Sequence, residues 1–432
     1  MRFLPQLLLC CPLLSVMSLA QTAKTGAYPF STFESKGFDS INLGNLNTHF
    51  TIPIVSKPGR GLSFNYTLVY DGLIWSPFAT PSSQSWKADS SWGFHGQLNG
   101  AGPIGYLTYN PNYNYCPGPH STNYSVDGGS SNYVYHDPSG VDHRFNYSVY
   151  KPCPFDSNGV AYNPPPPAQV SGDGSTNDNS GLSLQGDVNG GGSVYSRDGS
   201  FVTPPQTPGG AGYQFDTNGN YISSSGSGVF TDTLGVTELT VSGGGTVSSP
   251  RTFSYPVTLQ QNGGSTATVT VSYKTYTVQT NFSCPYIIDP GAKTVDLVDH
   301  ITLPDNPSSV YTFTYETTPG ISGAVTGRLA SITLPSGGTI SYAYTGGCNG
   351  SGINPDGTTS GLMRTTSDGS RSYTRATVSA NATTTTLQDE AGNTSIYQFM
   401  LADSVAVPLE THRQVLAGER GREQSPRPIH VL

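Results

Sequence analysis

Residues 327–344 read Gly-Arg-Leu-Ala-Ser-Ile-Thr-Leu-Pro-Ser-Gly-Gly-Thr-Ile-Ser-Tyr-Ala-Tyr, two alternating runs that meet at Ser336-Gly337-Gly338. This pattern is typical of a β-hairpin. A two-residue loop would split the apolar residues between the two faces, whereas a three-residue loop gathers them on one face. We therefore expect a three-residue loop with Gly338 in the left-handed conformation. The predicted cross-strand pairs are Leu334 with Ile340, Ile332 with Tyr342, and Ala330 with Tyr344.

The same unit, two alternating strands joined by a three-residue turn that ends in glycine, recurs along the chain. The turns are Pro138-Ser139-Gly140, Arg197-Asp198-Gly199, Thr217-Asn218-Gly219, Asn262-Gly263-Gly264 and Glu390-Ala391-Gly392. The predicted pairs are Tyr135 with His143, Tyr133 with Phe145, Tyr195 with Phe201, Phe215 with Tyr221, Phe253 with Tyr273, Tyr255 with Val271, and Leu387 with Ser395. The irregular spacing predicts an all-β array of successive hairpins rather than a strict solenoid.

Composition limits the class of protein. The chain has 432 residues, a net charge of -8, and 11% aromatic residues. Such an aromatic content argues against wholesale disorder, because disordered chains are poor in aromatic residues. The net negative charge leaves no basic surface of the kind that binds phosphate backbones, so nucleic acid is not an expected partner.

Residues 1–20 have the features of a secretory signal peptide. Arg2 supplies the positive start, Leu7 to Leu14 the short apolar core, and Ser18-Leu19-Ala20 a small-residue cleavage site before Gln21. The apolar run is too short for a membrane span, and no later run approaches about 18 apolar residues. The sequence therefore predicts a secreted or cell-surface protein without a transmembrane span.

Four cysteines remain after the signal peptide: Cys116, Cys153, Cys284 and Cys348. In an exported chain they allow three disulfide pairings, and the sequence alone does not choose among them. We expect Cys116 with Cys153, which flank a tyrosine-rich hairpin region, and Cys284 with Cys348; buried free thiols are the alternative. The absence of a Cys-x-x-Cys spacing argues against a zinc or redox site.

Changes in composition divide the mature chain. Residues 21–155 are expected to form an N-terminal β domain that begins with a loose polar arm. Residues 156–192, rich in Pro, Gly, Asn and Ser, are expected to form a linker or long loop. Hairpin patterns fill residues 193–400. Residues 401–432 lose that pattern and are expected to form an irregular tail.

Several motifs resemble the rearrangement-hotspot (Rhs) family of bacterial YD-repeat proteins. Thr326-Gly-Arg-Leu329, Ile332 to Gly338 and Tyr342-Ala-Tyr344 look like one YD-type repeat, and Asp389 to Asn393 before Ile396-Tyr397 looks like another. Leu43 to Leu46, Ile52-Pro53-Ile54 and Gly59 to Leu62 resemble the region that precedes the repeats. Ala324-Val325-Thr326 stands where a Tyr-Asp pair is expected, and the repeats are few, as in a truncated member.

The resemblance implies a secreted or surface-displayed protein whose repeats wind a β-sheet into a shell, often around a C-terminal toxin. On that basis we expect a β-sandwich-like N-terminal part followed by the start of a YD-type shell. The function implied is that of a non-catalytic structural portion of such a protein.

Motifs for catalysis, cofactors and metals give little support to an enzyme. Gly100 to Gly105 matches a dinucleotide fingerprint by letters, but Pro103 and the residues after it do not begin a helix. Asp173 to Asn179 lacks the glycine of a calcium loop, so weak Ca²⁺ binding there is only an alternative. The sequence contains no nucleophile elbow and no phosphate loop. We therefore predict no enzyme activity, no cofactor and no metal.

Asp137-Pro138-Ser139-Gly140 matches an Asp-Pro-x-Gly motif that is linked to self-cleavage in the family that the chain resembles. The same residue types also favour a tight turn, and the turn is the preferred interpretation. The predicted register places His136 and His143 on opposite faces, with His136 across from Asp142, which favours a polar pair over a metal site.

The aromatic residues of 75–150 leave a second functional hypothesis open, a secreted glycan-binding or adhesin-like module. Trp75, Trp86 and Trp92 could stack on sugars if they were exposed. Burial in the core is the favoured alternative, since large aromatic side chains are usually mostly buried. Surface glycans or other proteins are thus the candidate partners, and the oligomeric state is not predicted.

Overall fold

The computed structural model describes residues 25–416, apart from 60, 80–82, 97–101, 118–122, 157, 177, 258–264, 305–308 and 403–404. The predicted signal peptide lies outside this part. The described chain is all-β, as predicted, and none of its helices is long and apolar enough to cross a membrane.

The first twelve strands belong to the N-terminal part of the chain. They are β1 Phe33–Lys36, β2 Asp39–Asn42, β3 Thr48–Lys57, β4 Phe64–Asp71, β5 Trp75–Ala79, β6 Gln84–Ala88, β7 Phe94–His95, β8 Tyr106–Pro117, β9 Asn123–His136, β10 Asp142–Arg144, β11 Ser148–Tyr150 and β12 Gln169–Ser171.

The remaining strands run to residue 416. They are β13 Ser183–Gly186, β14 Gly192–Tyr195, β15 Phe201–Thr203, β16 Ala211–Phe215, β17 Tyr221–Ser225, β18 Val229–Asp232, β19 Thr237–Ser242, β20 Arg251–Pro256, β21 Thr266–Val278, β22 Ile287–Ile288, β23 Lys293–Thr302, β24 Val310–Thr317, β25 Ala324–Thr333, β26 Thr339–Thr345, β27 Gly361–Thr366, β28 Gly369–Ser379, β29 Ala382–Gln388, β30 Thr394–Ala402 and β31 Val405–Leu416. A 3-10 turn, Cys348–Gly350, separates β26 from β27.

The largest sheet has 18 strands, β13 to β31 without β22, and its neighbours follow one another in chain order. We call this sheet the meander. The N-terminal sheet has the order β1-β2-β3-β4-β7, and the side sheet contains β8 to β12. The hairpin β5–β6 pairs with β22 in a separate three-stranded sheet.

The N-terminal sheet and the meander bury their apolar faces against each other in one large core. Phe50 of β3, for example, stacks on Phe313 of β24 with ring centroids 6.3 Å apart. Buried polar contacts also join the two sheets: Arg364 of β27 donates to both oxygens of Asp39 at 2.6–3.0 Å, and Tyr342 donates to Asp39 at 2.7 Å. A separate small core lies against the side sheet. Its buried members are Leu107, Tyr133, Tyr135, Phe145, Leu184 and Val194.

Most of the predicted hairpin registers are confirmed. Tyr135 lies opposite His143, Tyr195 opposite Phe201, Phe215 opposite Tyr221, and Leu387 opposite Ser395. The predicted left-handed turn glycines Gly140, Gly199, Gly219 and Gly392 have φ values of 82–87°.

Two predicted registers are wrong, although the predicted faces are right. In the 327–344 hairpin the three-residue loop is Pro335-Ser336-Gly337, because Leu334 donates to the Gly338 carbonyl and Gly337, at φ 87°, is the left-handed residue. Ile332 therefore lies opposite Ile340 instead of Tyr342. Phe253 lies opposite Val269 instead of Tyr273, and the turn predicted at 262–264 falls outside the described residues. Both shifts are even numbers of residues, so the apolar face is preserved.

Three segments are more ordered than the sequence predicts. The expected linker at 156–192 contains β12 and β13, and Leu184 of β13 is buried in the small core. The expected irregular tail contains the long strand β31, which pairs with β30. The expected loose arm is anchored by Tyr28, which is 4% exposed and packs on Val141. Remote partners order the arm and the linker, whereas β31 pairs with the strand just before it; the local composition does not indicate either kind of order.

Candidate functional site

A cleft of about 560 Å³ opens where the N-terminal sheet, the β5–β6 hairpin and the side sheet meet. Asp71 ends β4 and His95 ends β7, so both come from one edge of the N-terminal sheet. Phe78 and the Lys87–Ala88 end of β6 supply a second wall, and Tyr106 of β8 supplies a third. The cleft therefore gathers residues from three different sheets, although those named here all lie between residues 71 and 106.

The floor of the cleft is built around the buried carboxylate of Asp71. Its Oδ1 accepts hydrogen bonds from the Gly26 amide at 2.9 Å, Asn47 Nδ2 at 2.5 Å and His49 Nδ1 at 3.0 Å. Its Oδ2 lies 3.3 Å from His95 Nε2, and neither of these buried atoms has another polar partner among the described residues. We treat this contact as an ion pair.

Burial and charge attraction act in opposite directions on this pair. Burial favours the neutral form of both groups. The interactions with His49 and His95 outweigh it and hold the pKa of Asp71 well below its ordinary value. For His95, burial lowers the pKa, but Asp71 raises it to a net value of about 9. The His95 ring is therefore a cation at neutral pH.

Ser91, His95 and Asp71 lie in the order of a hydrolytic triad, but their bonding does not fit one. Ser91 Oγ donates its proton to Asp89 Oδ2 and lies 3.5 Å from His95 Nδ1. A general base must be unprotonated to take the proton of the serine. His95, with its raised pKa, is not in that state at neutral pH.

His136 and His143 point to opposite faces of the β9–β10 hairpin, as predicted. His136 lies across from Asp142, with Nδ1 2.5 Å from Asp142 Oδ1 and Nε2 2.9 Å from Thr108 Oγ1. Its ring stacks on Tyr106 with a centroid distance of 4.2 Å. These contacts hold the Tyr106 ring at the cleft.

His143 lies behind this wall, buried between two aspartates. Its Nδ1 is 2.5 Å from Asp178 Oδ2, and its Nε2 is 3.3 Å from Asp137 Oδ2. Burial lowers the pKa of His143, but the two carboxylates raise it to a net value of about 9, and the pKa of Asp178 is held well below its ordinary value. Within the described ranges no three His, Cys, Asp or Glu residues are grouped to hold a metal ion.

The acidic segment 173–179 does not assemble a calcium site in the part that the structure describes. Asp173 Oδ1 accepts from the Ser175 amide at 3.0 Å and from Ser175 Oγ at 2.8 Å. Asp178 instead faces His143. The two carboxylates thus have different partners, and residue 177 is not described.

The Asp-Pro-x-Gly motif forms the predicted turn. Asp137 Oδ1 accepts hydrogen bonds from the amides of Ser139 at 2.9 Å and Val141 at 2.8 Å. Gly140 has φ 84°, and a Cβ atom there would lie 2.6 Å from Asp71 Oδ2. Glycine is thus required both by the turn and by its close approach to the cleft floor.

The same aspartate arrangement recurs along the chain, although the turns expected from the sequence were defined by their glycines alone. In each copy, Oδ1 accepts from the amides two and four residues later, and a glycine with positive φ stands three residues later. The aspartates are Asp137, Asp156, Asp187, Asp216, Asp232 and Asp389. The spacing Asp-x-x-Gly is the signal that finds these turns in the sequence.

The three tryptophans do not form an exposed platform. Trp75 is 4% and Trp86 3% exposed, and Trp75 Nε1 donates to the Thr326 carbonyl at 2.9 Å. Trp92 is partly buried and packs edge-on against Trp75 with a centroid distance of 5.8 Å. Trp75 and Trp86 are therefore not available for stacking on sugars, and burial in the core, the favoured interpretation, describes both rings. The rings pack there because β25 and Phe282 of the large core face them.

Two strongly exposed aromatic residues lie close together on the side sheet. Tyr113 is 67% and Tyr115 82% exposed, two residues apart on β8. The next residue, Cys116, forms a disulfide with Cys153, and Cys284 forms one with Cys348. These are the two pairs expected from the sequence.

No protein-family model matches the chain, and no curated protein matches its sequence. The resemblance to Rhs proteins therefore rests on the motifs quoted from the sequence, and it enters the functional argument as a proposal.

Proposed function

We propose that the chain is the exported, non-catalytic structural portion of an Rhs/YD-repeat surface or secreted protein. The observation that carries this proposal is the meander: 18 strands follow in chain order, and glycine-ended turns recur between them. A sheet that grows by adding one hairpin after another is the architecture that a repeat sequence would build.

The motif residues that suggest the family have structural roles, which supports a structural function. Gly327 has φ 84°, and a Cβ atom there would lie 2.8 Å from the Trp92 ring. Arg328 donates through Nε and Nη2 to Glu316 at 2.8 and 2.9 Å. Its guanidinium lies 4.0 Å from the Tyr344 ring centroid and 5.0 Å from that of Phe282. The Gly-Arg motif thus binds β25 to its neighbours.

Export and family membership are tested together on the native protein. Mass spectrometry of the protein from its source is expected to find it outside the cytoplasm with Gln21 as the first residue. The gene beyond the codon of Leu432 is expected to continue in frame with Tyr-Asp repeats. A cytoplasmic protein that retains residues 2–20 would contradict export, and an unrelated continuation would contradict the family.

The absence of catalysis is tested at Ser91. A fluorophosphonate probe labels a serine only when a neighbouring base activates it. We expect no labelling of Ser91 at neutral pH, because its proton is donated to Asp89 and His95 is protonated. Labelling that is lost in Ser91→Ala and retained in Ser90→Ala would establish a hydrolytic site and overturn the non-catalytic assignment.

A second candidate function is glycan binding, and the exposed tyrosines favour it. Tyr113 and Tyr115 lie on a hairpin that the Cys116–Cys153 disulfide braces, and rigid aromatic side chains suit stacking on sugars. Retention on a glycan array that Tyr115→Ala removes and that Tyr286→Ala, an exposed control elsewhere, leaves unchanged would support this function. Equal retention by both variants would contradict it.

A further inference from the structure

We propose that the cleft beside Asp71 binds a single saccharide unit, with Phe78 and Tyr106 against its C–H face and Lys87 and Asp89 bonded to its hydroxyls. The inference rests on the second candidate function for its class of ligand. It places the site in the cleft, away from the exposed tyrosines of β8.

The apolar part of the site is already formed and partly open. Phe78 is 50% exposed at the wall of the cleft, and the Tyr106 ring is held by its stack on His136. A sugar ring presents an apolar C–H face and a rim of hydroxyls, so it matches a wall that carries both aromatic rings and polar groups.

The polar part of the site has unused hydrogen-bonding capacity. Lys87 Nζ lies 5.1 Å above the Phe78 ring centroid and makes no hydrogen bond to a described residue. Asp89 Oδ2 accepts from the Ser91 and Gly93 amides at 3.2 and 3.1 Å, whereas Asp89 Oδ1 accepts no hydrogen bond within the described chain. A hydroxyl both donates and accepts, so it can bond to a carboxylate and an ammonium side by side.

The charges at the floor of the cleft are already paired. Asp71 is 1% exposed and borders the cleft, and its buried Oδ2 forms an ion pair with His95 Nε2 at 3.3 Å. Buried polar atoms are almost always satisfied by protein, water or ligand. For Asp71 Oδ2 the ion pair with His95 fills this role, and the hydroxyls of the ligand bond to Lys87 and Asp89 at the wall.

The charges of the cleft argue against an anionic ligand. Asp71, Asp89, Asp137 and Asp142 all line it, whereas Lys87 and His95 are its cations at neutral pH. A phosphate or carboxylate would meet net repulsion at this density of carboxylates. A neutral polyhydroxylated ring avoids that cost and still uses the carboxylates as acceptors.

The test is saturation-transfer-difference NMR on the full mature chain, with the methyl glycosides of glucose, galactose, mannose and N-acetylglucosamine as probes. At least one glycoside is expected to receive saturation. Phe78→Ala is expected to weaken its binding about tenfold through lost stacking. Asp89→Asn is also expected to weaken it about tenfold, because the hydrogen bond to the charged group is lost. Tyr286→Ala, which removes a 95% exposed ring outside the cleft, is the matched control and is expected to bind normally.

Each other outcome overturns the inference. No saturation transfer to any of the four glycosides means that the cleft does not bind a simple sugar. Equal loss in Phe78→Ala and Tyr286→Ala means that the binding is nonspecific. Glycan-array retention that Tyr115→Ala removes and Phe78→Ala preserves would leave the second candidate function standing and place its site on β8. As a control, the thermal unfolding of Asp89→Asn is measured as well. It is expected to be unchanged, which shows that a loss of binding does not come from a loss of folding.

Discussion

The large core and the small core of this protein are held together in different ways. The large core joins the N-terminal sheet to the meander through many fully buried side chains, such as Phe313 at 1% exposure. The small core has six buried apolar residues. Its side sheet is also tied by the Cys116–Cys153 disulfide and by His143 between Asp137 and Asp178.

The difference between the two cores shows that a core with little buried apolar area needs other interactions to be stable. Burial supplies most of the stability of a large core, since the hydrophobic contribution grows with the area removed from water. The Cys284–Cys348 disulfide and the Arg364–Asp39 ion pair add to it here. A small core gains less, and covalent or ionic links must add to it. We therefore expect the large core to be sensitive to cavities, and the side sheet to be sensitive to reduction and pH.

The largest effect is expected from a cavity in the large core. Trp75→Ala should lower the free energy of unfolding by about 3–5 kcal/mol, because it removes a buried ring and its hydrogen bond to Thr326. Trp92→Ala should cost less, because Trp92 is only partly buried. Denaturant unfolding measures both values. An equal loss of unfolding free energy in the two variants would show that the burial of the ring does not determine the cost of removing it.

The next effect is expected from the side-sheet disulfide. Replacement of Cys116 and Cys153 by serine opens a loop of 37 residues and should destabilise the side sheet by about 3–4 kcal/mol on the loop-entropy model. Amide hydrogen exchange should accelerate in β8 to β12 while β24 to β27 stay protected. Uniform acceleration in both regions would remove the distinction between the two cores.

The ionic link should make the side sheet depend on pH. The pKa of His143 rises from 6.5 to about 9 on folding, so its contribution is complete below pH 6.5 and is lost as pH rises through about 9. Asp178 has a lowered pKa, so its contribution is complete above 3.8 and is lost as pH falls below that value. His143→Gln should therefore cost most between pH 4 and 6.5, about 2 kcal/mol for a charge-assisted bond.

Thermal unfolding of the wild type and of His143→Gln across pH 4 to 10 measures this contribution as a difference. The two curves should converge above pH 9, where the wild-type His143 is neutral. A difference that stays constant with pH would show that His143 acts through packing and not through its charge.

The smallest effect concerns the 335–337 turn. Gly337 has φ 87° and no atom near the position of a Cβ, so Gly337→Ala should cost about 1 kcal/mol from backbone strain alone. Gly338→Ala is the matched control and should be neutral, because Gly338 does not have a positive φ and its nearest contact is at 3.8 Å. The reverse order would support the loop originally predicted from the sequence.

Much of the fold could be predicted from local pattern. Alternation of apolar and polar residues identified the hairpins and their buried faces, because side chains in a strand alternate with a period of two. The register was predicted where the turn had a single glycine, as at Gly199 and Gly219. It was wrong where two glycines were adjacent, as at Gly337-Gly338, since local chemistry then allows either to be left-handed.

The sequence by itself determined the strands, the turns and the faces, because these depend on neighbouring residues. Only the tertiary structure decided which residues pack against the apolar faces of the strands and where the cleft lies. Asp71, His95 and Phe78 carry no shared motif, and they meet because β4, β7 and the β5–β6 hairpin end at the same place. Tyr28 and Leu184 are likewise ordered by distant partners. Long-range packing supplies that order, and no local window contains it.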